Sequence, residues 1–547
     1  MIVVWLALVI FALGLPNDTA EFGVGPFLSV PLELPVAILL MALAPSVLGP
    51  VVRFGAALGL ALLTVIKLAD MAAIQALGRP FSPILDFHLL GAAWNLISGA
   101  IGTPGAWLLV VALVGVLIAI ACLSFFAIDA LERLARRRRS IAAGFCAAVI
   151  ALGLSIPAVY PNNRSADFTS SKSTDLMVRH AQAFTTSLRD LEDFERQARV
   201  DVAAAIPSDV LFSRLKDKDV LLVFIESYGR TVLSNPLYRP HVEPVLREFD
   251  RVVEEKGYAA ASGYLTSPVA GGQSWLGHAS VLSGLWVDNQ RRYNALVVSE
   301  RATLIDDFDR AGWRTVAVMP AITMAWPEGE AFGYDAIYDE DALGYEGLPF
   351  NWVTMPDQYT LSAFDRLERE RKDRPPIFAE IALISSHAPW TPIPELIDWE
   401  SIGDGHVFDS QARSGDTPKE VWSDPDRVRL QFRLSIEYAL ANLSSYVEER
   451  LDDDFVMVVL GDHQPSRMLT GETENRDVPY HVISDDMALV GEFRRRWGLA
   501  DGMLPSPQGQ AVAMNAFRER FVRAASGIEA EEAPLPPAAD GEPLGPT

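Results

Sequence analysis

Cysteine is scarce. Of 547 residues only Cys122 and Cys146 are cysteines, and both lie in apolar runs, so the chain beyond residue 146 has no disulfide, no zinc ribbon and no thiol nucleophile. Basic charge is also short: 46 lysines and arginines stand against 70 aspartates and glutamates, a formal net charge of −24. Phosphates would be repelled, which argues against nucleic acid or an anionic lipid surface as a partner. Long apolar runs are missing after about residue 160. Mean hydropathy is nevertheless +0.18, so the apolar residues are gathered in front of an acidic remainder. That pattern describes a membrane anchor followed by a large soluble domain.

Apolar stretches at about 1 to 16, 34 to 52, 54 to 76, 106 to 128 and 141 to 159 each approach the roughly 20 residues needed to cross the hydrocarbon core. The expectation is a helical membrane domain over 1–160 with about five spans, the first a retained anchor, since MIVVWLALVIFALGLP has no basic residue ahead of it. Arg133, Arg136, Arg137, Arg138 and Arg139 cluster between the last two stretches, which puts that connection in the cytoplasm and everything after it on the outer face. The stretch 79 to 102, interrupted by Pro and Gly, suits the outer interface, with His88 and Trp94 at head-group level. Residues 161–210 read as a partly helical stalk, and the Pro- and Gly-rich acidic end, 527–547, as disordered.

From 211 to 526 short aliphatic or β-branched runs alternate with amphipathic stretches. Strands are expected at 219 to 226, 313 to 320, 376 to 386, 454 to 462 and 478 to 484, and helices at 299 to 312, 355 to 372 and 428 to 450. This alternation predicts an α/β sandwich with a mostly parallel sheet, whose ligands gather beyond the carboxyl ends of the strands. Three apolar strands end in polar residues: Glu226-Ser227, Ser385-Ser386-His387 and Gly461-Asp462-His463. Carboxylates and imidazoles converging on one edge suit a divalent cation.

A nucleophile is sought in SPVAGGQSWLGHASVLSGLW, residues 267 to 286. Gly271-Gly272 permits a tight turn, Ser274 follows, and a helix begins at once. A serine there gains backbone N–H donors and the positive end of the helix dipole, although capping is serine's commoner work at such a position.

The order VFIESYG, GGQSWLGHASVLSGL, FGYD, ISSHAPW and VVLGDHQP resembles the alkaline phosphatase superfamily. More narrowly, it is similar to the membrane-bound sulfatase-like branch of lipoteichoic acid synthases and phosphoglycerol or phosphoethanolamine transferases. The resemblance covers about 211 to 490. It implies that Glu226, Ser274, Asp462 and His463 ligate one divalent ion, manganese or else magnesium or zinc, with Ser274 as nucleophile. His387 matches a histidine of the family's substrate pocket, and Trp326 falls near a tryptophan that contacts the donor head group. Where the family has an arginine two residues beyond that tryptophan, this chain has Pro327 and Glu328, which counts against a polyglycerol-phosphate substrate. The C/S-x-P/A-x-R setting of formylglycine sulfatases is not met at Ser267 or at Ser274, so sulfatase-like describes fold rather than reaction.

The implied reaction is double displacement through a phospho-serine. A phosphoglycerol- or phosphoethanolamine-like group leaves a membrane phospholipid and passes to a glycan or lipid acceptor, outside a bacterial cytoplasmic membrane. Hydrolysis of phosphate or sulfuric esters is the near alternative, and a catalytically silent membrane-anchored binding protein the distant one. A second metal would need Asp357 and His481. His278, one turn beyond Ser274, is a candidate substrate contact; His481 is either a site residue or a core histidine. Arg230 either pairs with a phosphate or caps the next helix. Trp390 reads as packing, and His241 and His406 as surface.

Overall fold

The computed structural model describes residues 2–23, 27, 29–45, 47–77, 79–82, 86, 89–159, 169–201, 203–471 and 473–528. His88 and the tail from 529, both addressed above, lie outside them. The chain divides into two compact units, Met1–Asp190 and Leu191–Thr547.

The first unit holds apolar helices Ile2–Gly14, Glu33–Leu43, Gly49–Leu77, Leu89–Arg137 and Arg139–Val159. They fall near the five expected stretches, but two among the described residues are long and apolar enough to cross a membrane: Gly49–Ala76 and Gly102–Arg137. The expectation of about five spans is corrected to that extent. Val3–Gly14, Glu33–Leu43 and Arg139–Leu152 are shorter apolar helices. The stretch 34 to 52 fails because its helix stops at Leu43 and Ala44 turns to an extended ψ of 134°. Its 11 residues reach about 16 Å at 1.5 Å per residue, roughly half the hydrocarbon thickness. Residues 89 to 101, expected as an interfacial segment, run on into the following helix with a kink at Gly102 (φ 76°, ψ 155°) just before Pro104. Trp94 packs edge-on against Trp107 at 4.9 Å.

Along Gly102–Arg137 only 6% of the most apolar window is buried, with Leu108, Val111 and Ile118 exposed. So continuous an exposed apolar surface is of the kind that meets lipid or another protein. The arginine connection shrinks to Arg138, since the flanking helices end at Arg137 and begin at Arg139. Asp129 accepts from Arg53 at 2.9 Å and from Arg133, and Glu132 accepts from Arg136 at 2.6 Å. Lys67, buried within Gly49–Leu77, donates to the Leu13 carbonyl at 2.6 Å and to Ser173 Oγ at 2.9 Å.

The second unit is built on a nine-stranded sheet among the described residues. Its strands are β1 (Asp219–Ile225), β2 (Ala259–Thr266), β3 (Arg314–Val318), β4 (Ala336–Tyr338), β5 (Ile377–Leu383), β6 (Phe455–Gly461), β7 (Asp477–Ser484), β8 (Ala500–Asp501) and β9 (Val512–Ala513). The order is β8-β2-β7-β6-β1-β5-β3-β4, with β9 beside β2. From β6 through β4 every pairing is parallel, while β7, β2 and β8 join antiparallel. All five expected strands form.

β1 lies at the centre and all seven of its residues are buried. Leu221, Val223 and Ile225 enter one core with Val242, Leu246, Phe432 and Leu440, whereas Val220, Leu222 and Phe224 enter another with Leu276, Phe308 and Phe521. The period of two along a strand thus feeds both faces, and helices cover each, which is the expected α/β sandwich. The expectation missed β2, AAASGYLT, because alanine, serine and glycine carry no strand signal. Its small residues are there for closeness: a Cβ on Gly263 would lie 2.9 Å from the Tyr480 ring.

At the end of β6 the backbone of Gly461 meets that of Tyr228, and a Cβ there would fall 1.9 Å from the Tyr228 carbonyl oxygen. Gly461→Ala is therefore expected to destabilise the full-length protein by about 3 kcal/mol. Gly491→Ala, in helix Met487–Trp497 with open space at the same position, is expected to stabilise it by about 0.5–1 kcal/mol. Thermal unfolding of both variants in detergent checks the contrast.

Candidate active site

Adjacent parallel strands β1 and β6 run in register, with Ile225 opposite Gly461, so the residues that follow them emerge side by side. Glu226 follows the first, and Asp462 and His463 the second. Asp462 Oδ1 accepts the backbone N–H of Ser227 at 2.8 Å and of His463 at 2.7 Å. Ser227 takes a left-handed φ of 58° in this turn. Ser267 Oγ donates to the Asp462 carbonyl at 2.7 Å. Helix Ser274–Ser283 presses on the same peptide, since a Cβ on Gly277 would lie 2.8 Å from that oxygen.

These contacts bring four side chains together. Ser274 Oγ donates to Glu226 Oε2 at 2.9 Å and lies 3.3 Å from His463 Nε2. His463 Nε2 is 3.4 Å from Glu226 Oε1 and 3.8 Å from Asp462 Oδ2. One ligand atom from each of Glu226, Asp462 and His463 lies within 4.8 Å of the others. His463 Nδ1 is 2.9 Å from the Gln464 carbonyl; a carbonyl only accepts, so Nδ1 carries the proton and the Nε2 lone pair is left for the cluster. Asp462 and His463 are buried to within 2% of full side-chain enclosure, whereas Glu226 keeps 12% exposure. The cluster therefore opens on its Glu226 and Ser274 side.

Electrostatics show what the cluster suits. Burial raises the Asp462 carboxyl and the charge of Glu226 raises it further, against His463. Burial likewise opposes ionisation of Glu226, but His463, His387 and hydrogen bonds from Asp462 and Ser227 outweigh it and hold Glu226 low. Burial would lower His463, and the two carboxylates raise it instead. Two buried carboxylates, one imidazole lone pair and one hydroxyl form a hard donor set with excess negative charge, and a divalent cation fits it.

The other expected residues divide into neighbours and bystanders. His387 is half-buried, its Nδ1 lies 2.7 Å from the Ala388 carbonyl, and it stands close enough to Glu226 to lower that carboxyl. Its loop is tied to β1 by Ser386 Oγ, which donates to the Glu226 carbonyl at 2.6 Å. The Trp352 ring lies nearly parallel to His387, 6.4 Å away, and is 37% exposed; no sequence pattern marked it. His278 stacks on Phe224 at 3.6 Å, and its Nδ1 lies 2.7 Å from Glu380 Oε1. Tyr334, from the FGYD stretch, donates to the other oxygen of Glu380. Glu380 is 1% exposed in the middle of β5; a charge inside an apolar strand was the signal for it. Trp326 is half-buried, at the start of helix Pro327–Phe332, 6.5 Å from the Tyr334 ring.

His481 and Arg230 stand apart from the cluster, which removes the geometric case for both as substrate contacts. His481 is fully buried between Tyr228 OH (3.1 Å from Nε2) and Ser262 Oγ (2.7 Å from Nδ1), and burial pushes it down to about 3. It is the satisfied core histidine of the two readings. Arg230 bonds Asp477 at 2.9 Å and the Pro507 and Gly509 carbonyls at 2.6 and 3.3 Å, and lies over the Tyr264 ring at 4.0 Å. Its guanidinium thereby ties β7 and the loop around 507 to 509 to the Tyr264 ring. Trp390 is buried and stacks on Trp422. A second group, Glu346, Asp404 and His406, is wholly exposed, and exposed acidic groups commonly hold no ion.

Asp357, considered for a second metal, also lies outside the ligand group. Its Oδ1 accepts the Ile384 and Ser385 N–H groups at 2.8 and 2.9 Å, which holds the strand end leading to His387, while Oδ2 is buried with no partner among the described residues. Burial pushes this carboxyl up to about 6 despite those hydrogen bonds. The folded chain therefore holds a proton that an unfolded chain, with an aspartate pKa of about 3.9, releases, so stability falls as pH rises from about 4 to about 6. Asp357→Asn keeps the acceptor and removes the charge. Its unfolding midpoint should climb relative to the parent across that window and stay above it at neutral pH; a constant difference from pH 4 to 7 would refute this.

Residues 218–482 match the family model described as Sulfatase. No curated protein matches the chain. Among solved structures it is similar to the lipoteichoic acid synthase LtaP of Listeria monocytogenes, at 15% identity and TM-score 0.40 over 62% of this chain and 78% of that one. The C-terminal periplasmic domain of EptC from Escherichia coli aligns at 12% identity and TM-score 0.39, over 57% and 82%. The Streptococcus pyogenes phosphoglycerol transferase GacH, in complex with sn-glycerol-1-phosphate, aligns at 11% identity and TM-score 0.37, over 63% and 92%. Residues 218–482 thus form a sulfatase domain of the alkaline phosphatase superfamily.

Proposed function

We propose that this protein is a membrane-anchored, metal-dependent transferase. It would move a phosphoglycerol- or phosphoethanolamine-like group from a membrane phospholipid to a glycan or lipid acceptor through a phosphorylated Ser274. The observation that carries the reading is the placement of Ser274 Oγ, 2.9 Å from Glu226 Oε2 and 3.3 Å from His463 Nε2, at the first residue of a helix.

Glu226, Ser274, Asp462 and His463 would hold the cation, which when bound lowers the pKa of a ligated hydroxyl and offsets charge on the group in transfer. Ser274, its hydroxyl proton lost to solvent before the cycle begins, attacks phosphorus through Oγ as the bond to the diacylglycerol oxygen breaks. His387, its Nδ1 proton held by the Ala388 carbonyl, supplies a proton from Nε2 to the departing alkoxide. The acceptor hydroxyl then attacks phosphorus, returns a proton to His387, and frees Ser274. Backbone N–H groups at the start of helix Ser274–Ser283 and its dipole stabilise the phosphoryl oxygens. Trp352, flat beside His387 and partly exposed, offers a wall for the donor head group.

The apolar helices of the first unit support lipid as donor, because they would keep the enzyme in the bilayer that contains it. The arginines at 133 to 139 support a cytoplasmic position for that end and an outer position for the catalytic domain, hence a bacterial cytoplasmic-membrane protein working on the outer face. Formylglycine chemistry is disfavoured by Trp275-Leu276 after the serine, where that modification needs a small residue or proline.

The test is to incubate the full-length protein and its Ser274→Ala variant with labelled phospholipids and manganese, magnesium or zinc. Diacylglycerol is expected from the parent, with at least a thousandfold loss in the variant. Free phosphate released from monoesters would make the protein a phosphatase instead. No turnover with any metal would refute the enzyme and restore the silent membrane protein.

A further inference from the structure

Gln273 carries two burdens that the fold alone does not explain. Its backbone is left-handed, φ 67° and ψ 41°, a conformation that a side-chain-bearing residue adopts under strain and that glycine adopts freely. The two preceding residues are both glycines with positive φ, so a third was the unstrained choice. The residue is 7% exposed, yet its buried side-chain Nε2 has no hydrogen-bond partner among the described residues. Strained backbone and orphaned buried donors both concentrate at sites where a ligand completes the structure. Here the two coincide at the residue immediately before Ser274.

The chemistry of the orphan selects its ligand. An amide nitrogen donates and does not accept, so it calls for an anionic or carbonyl oxygen rather than a cation. Its loop is fixed on the ligand-bearing strand end, with Gly271 N–H donating to the Gln464 carbonyl at 2.7 Å and Ala270 bridging Gln464. The Gln273 carbonyl in turn accepts the Leu276 N–H at 2.9 Å. The backbone of Gln273 is thereby held at the helix end where Ser274 stands.

We propose that the Gln273 side-chain amide donates a hydrogen bond to a non-bridging oxygen of the tetrahedral phosphoryl or sulfuryl group held at Ser274. The proposal rests on Ser274 as the reacting residue and adds an oxyanion donor that touches the substrate.

Tungstate, a tetrahedral oxyanion that is not turned over, is the probe. Its affinity for full-length manganese-loaded protein in detergent is measured by calorimetry, beside manganese affinity and the unfolding midpoint. Gln273→Gly is expected to weaken tungstate binding tenfold or more, leave manganese affinity within twofold, and leave the midpoint equal or higher because strain and orphan both vanish. Gln273→Glu is expected to abolish tungstate binding through charge repulsion. Tungstate affinity within twofold of the parent in Gln273→Gly overturns the proposal, as does a metal-loaded parent that binds no tungstate. If tungstate binding falls as expected but no phospholipid is consumed, the transferase reading fails and the Gln273 assignment stands.

Discussion

Two carboxylates out of water, on neighbouring parallel strands, set the terms for everything around them. Glu226 and Asp462 follow β1 and β6 at the same level because Ile225 and Gly461 are opposite each other in the ladder. Like charges so placed repel, and burial removes the water that would screen them. The surroundings answer with donors: two backbone N–H groups on Asp462, the Ser227 and Ser274 hydroxyls on Glu226, and the His463 imidazole between them. A left-handed Ser227, a glycine in contact with the Tyr228 carbonyl and another against the Asp462 peptide are what it takes to hold that geometry.

The cluster is asymmetric, and the asymmetry matches the chemistry proposed for it. Asp462 and His463 are sealed, so they position without being reached by substrate. Glu226, Ser274 and His387 are only half-buried and border the open side. In the proposed reaction a group in transfer would approach the serine on the side where the imidazole of His387 and the Trp352 ring also stand. Behind the serine, the chain from Tyr334 through Glu380 to His278 braces the helix against the sheet, burying one charge with partners on both of its oxygens.

Legibility followed the physics of each signal. Apolar strands that end abruptly in Glu, Asp-His or Ser-Ser-His are conspicuous, because a buried ladder tolerates such residues only at its ends; this is why the clustered side chains and His387 could be picked out in advance. β2 could not, since AAASGYLT has no alternating pattern, and with β2 unseen the Ser262 partner of His481 was unseen as well. Arg230 was ambiguous for a related reason: its partners Asp477 and Gly509 lie 247 and 279 residues along the chain, beyond any local spacing rule. Apolar length marked five segments in the first unit, but hydropathy does not register the break at Ala44 or the bend at Gly102.

Composition and periodicity alone determined that apolar residues lead and an acidic α/β domain follows, which strands are buried on both faces, and which polar residues stand at their ends. These are local properties, governed by whether each residue tolerates water. Strand order decided the rest. That β1 neighbours β6 and β5 rather than β7, that His481 turns into the core, and that Gln273 is closed in beside Ser274 depend on helices packing both faces of the sheet at once. Such packing is a property of the whole fold, because a contact between residues hundreds of positions apart is selected by shape and burial, not by anything in either neighbourhood.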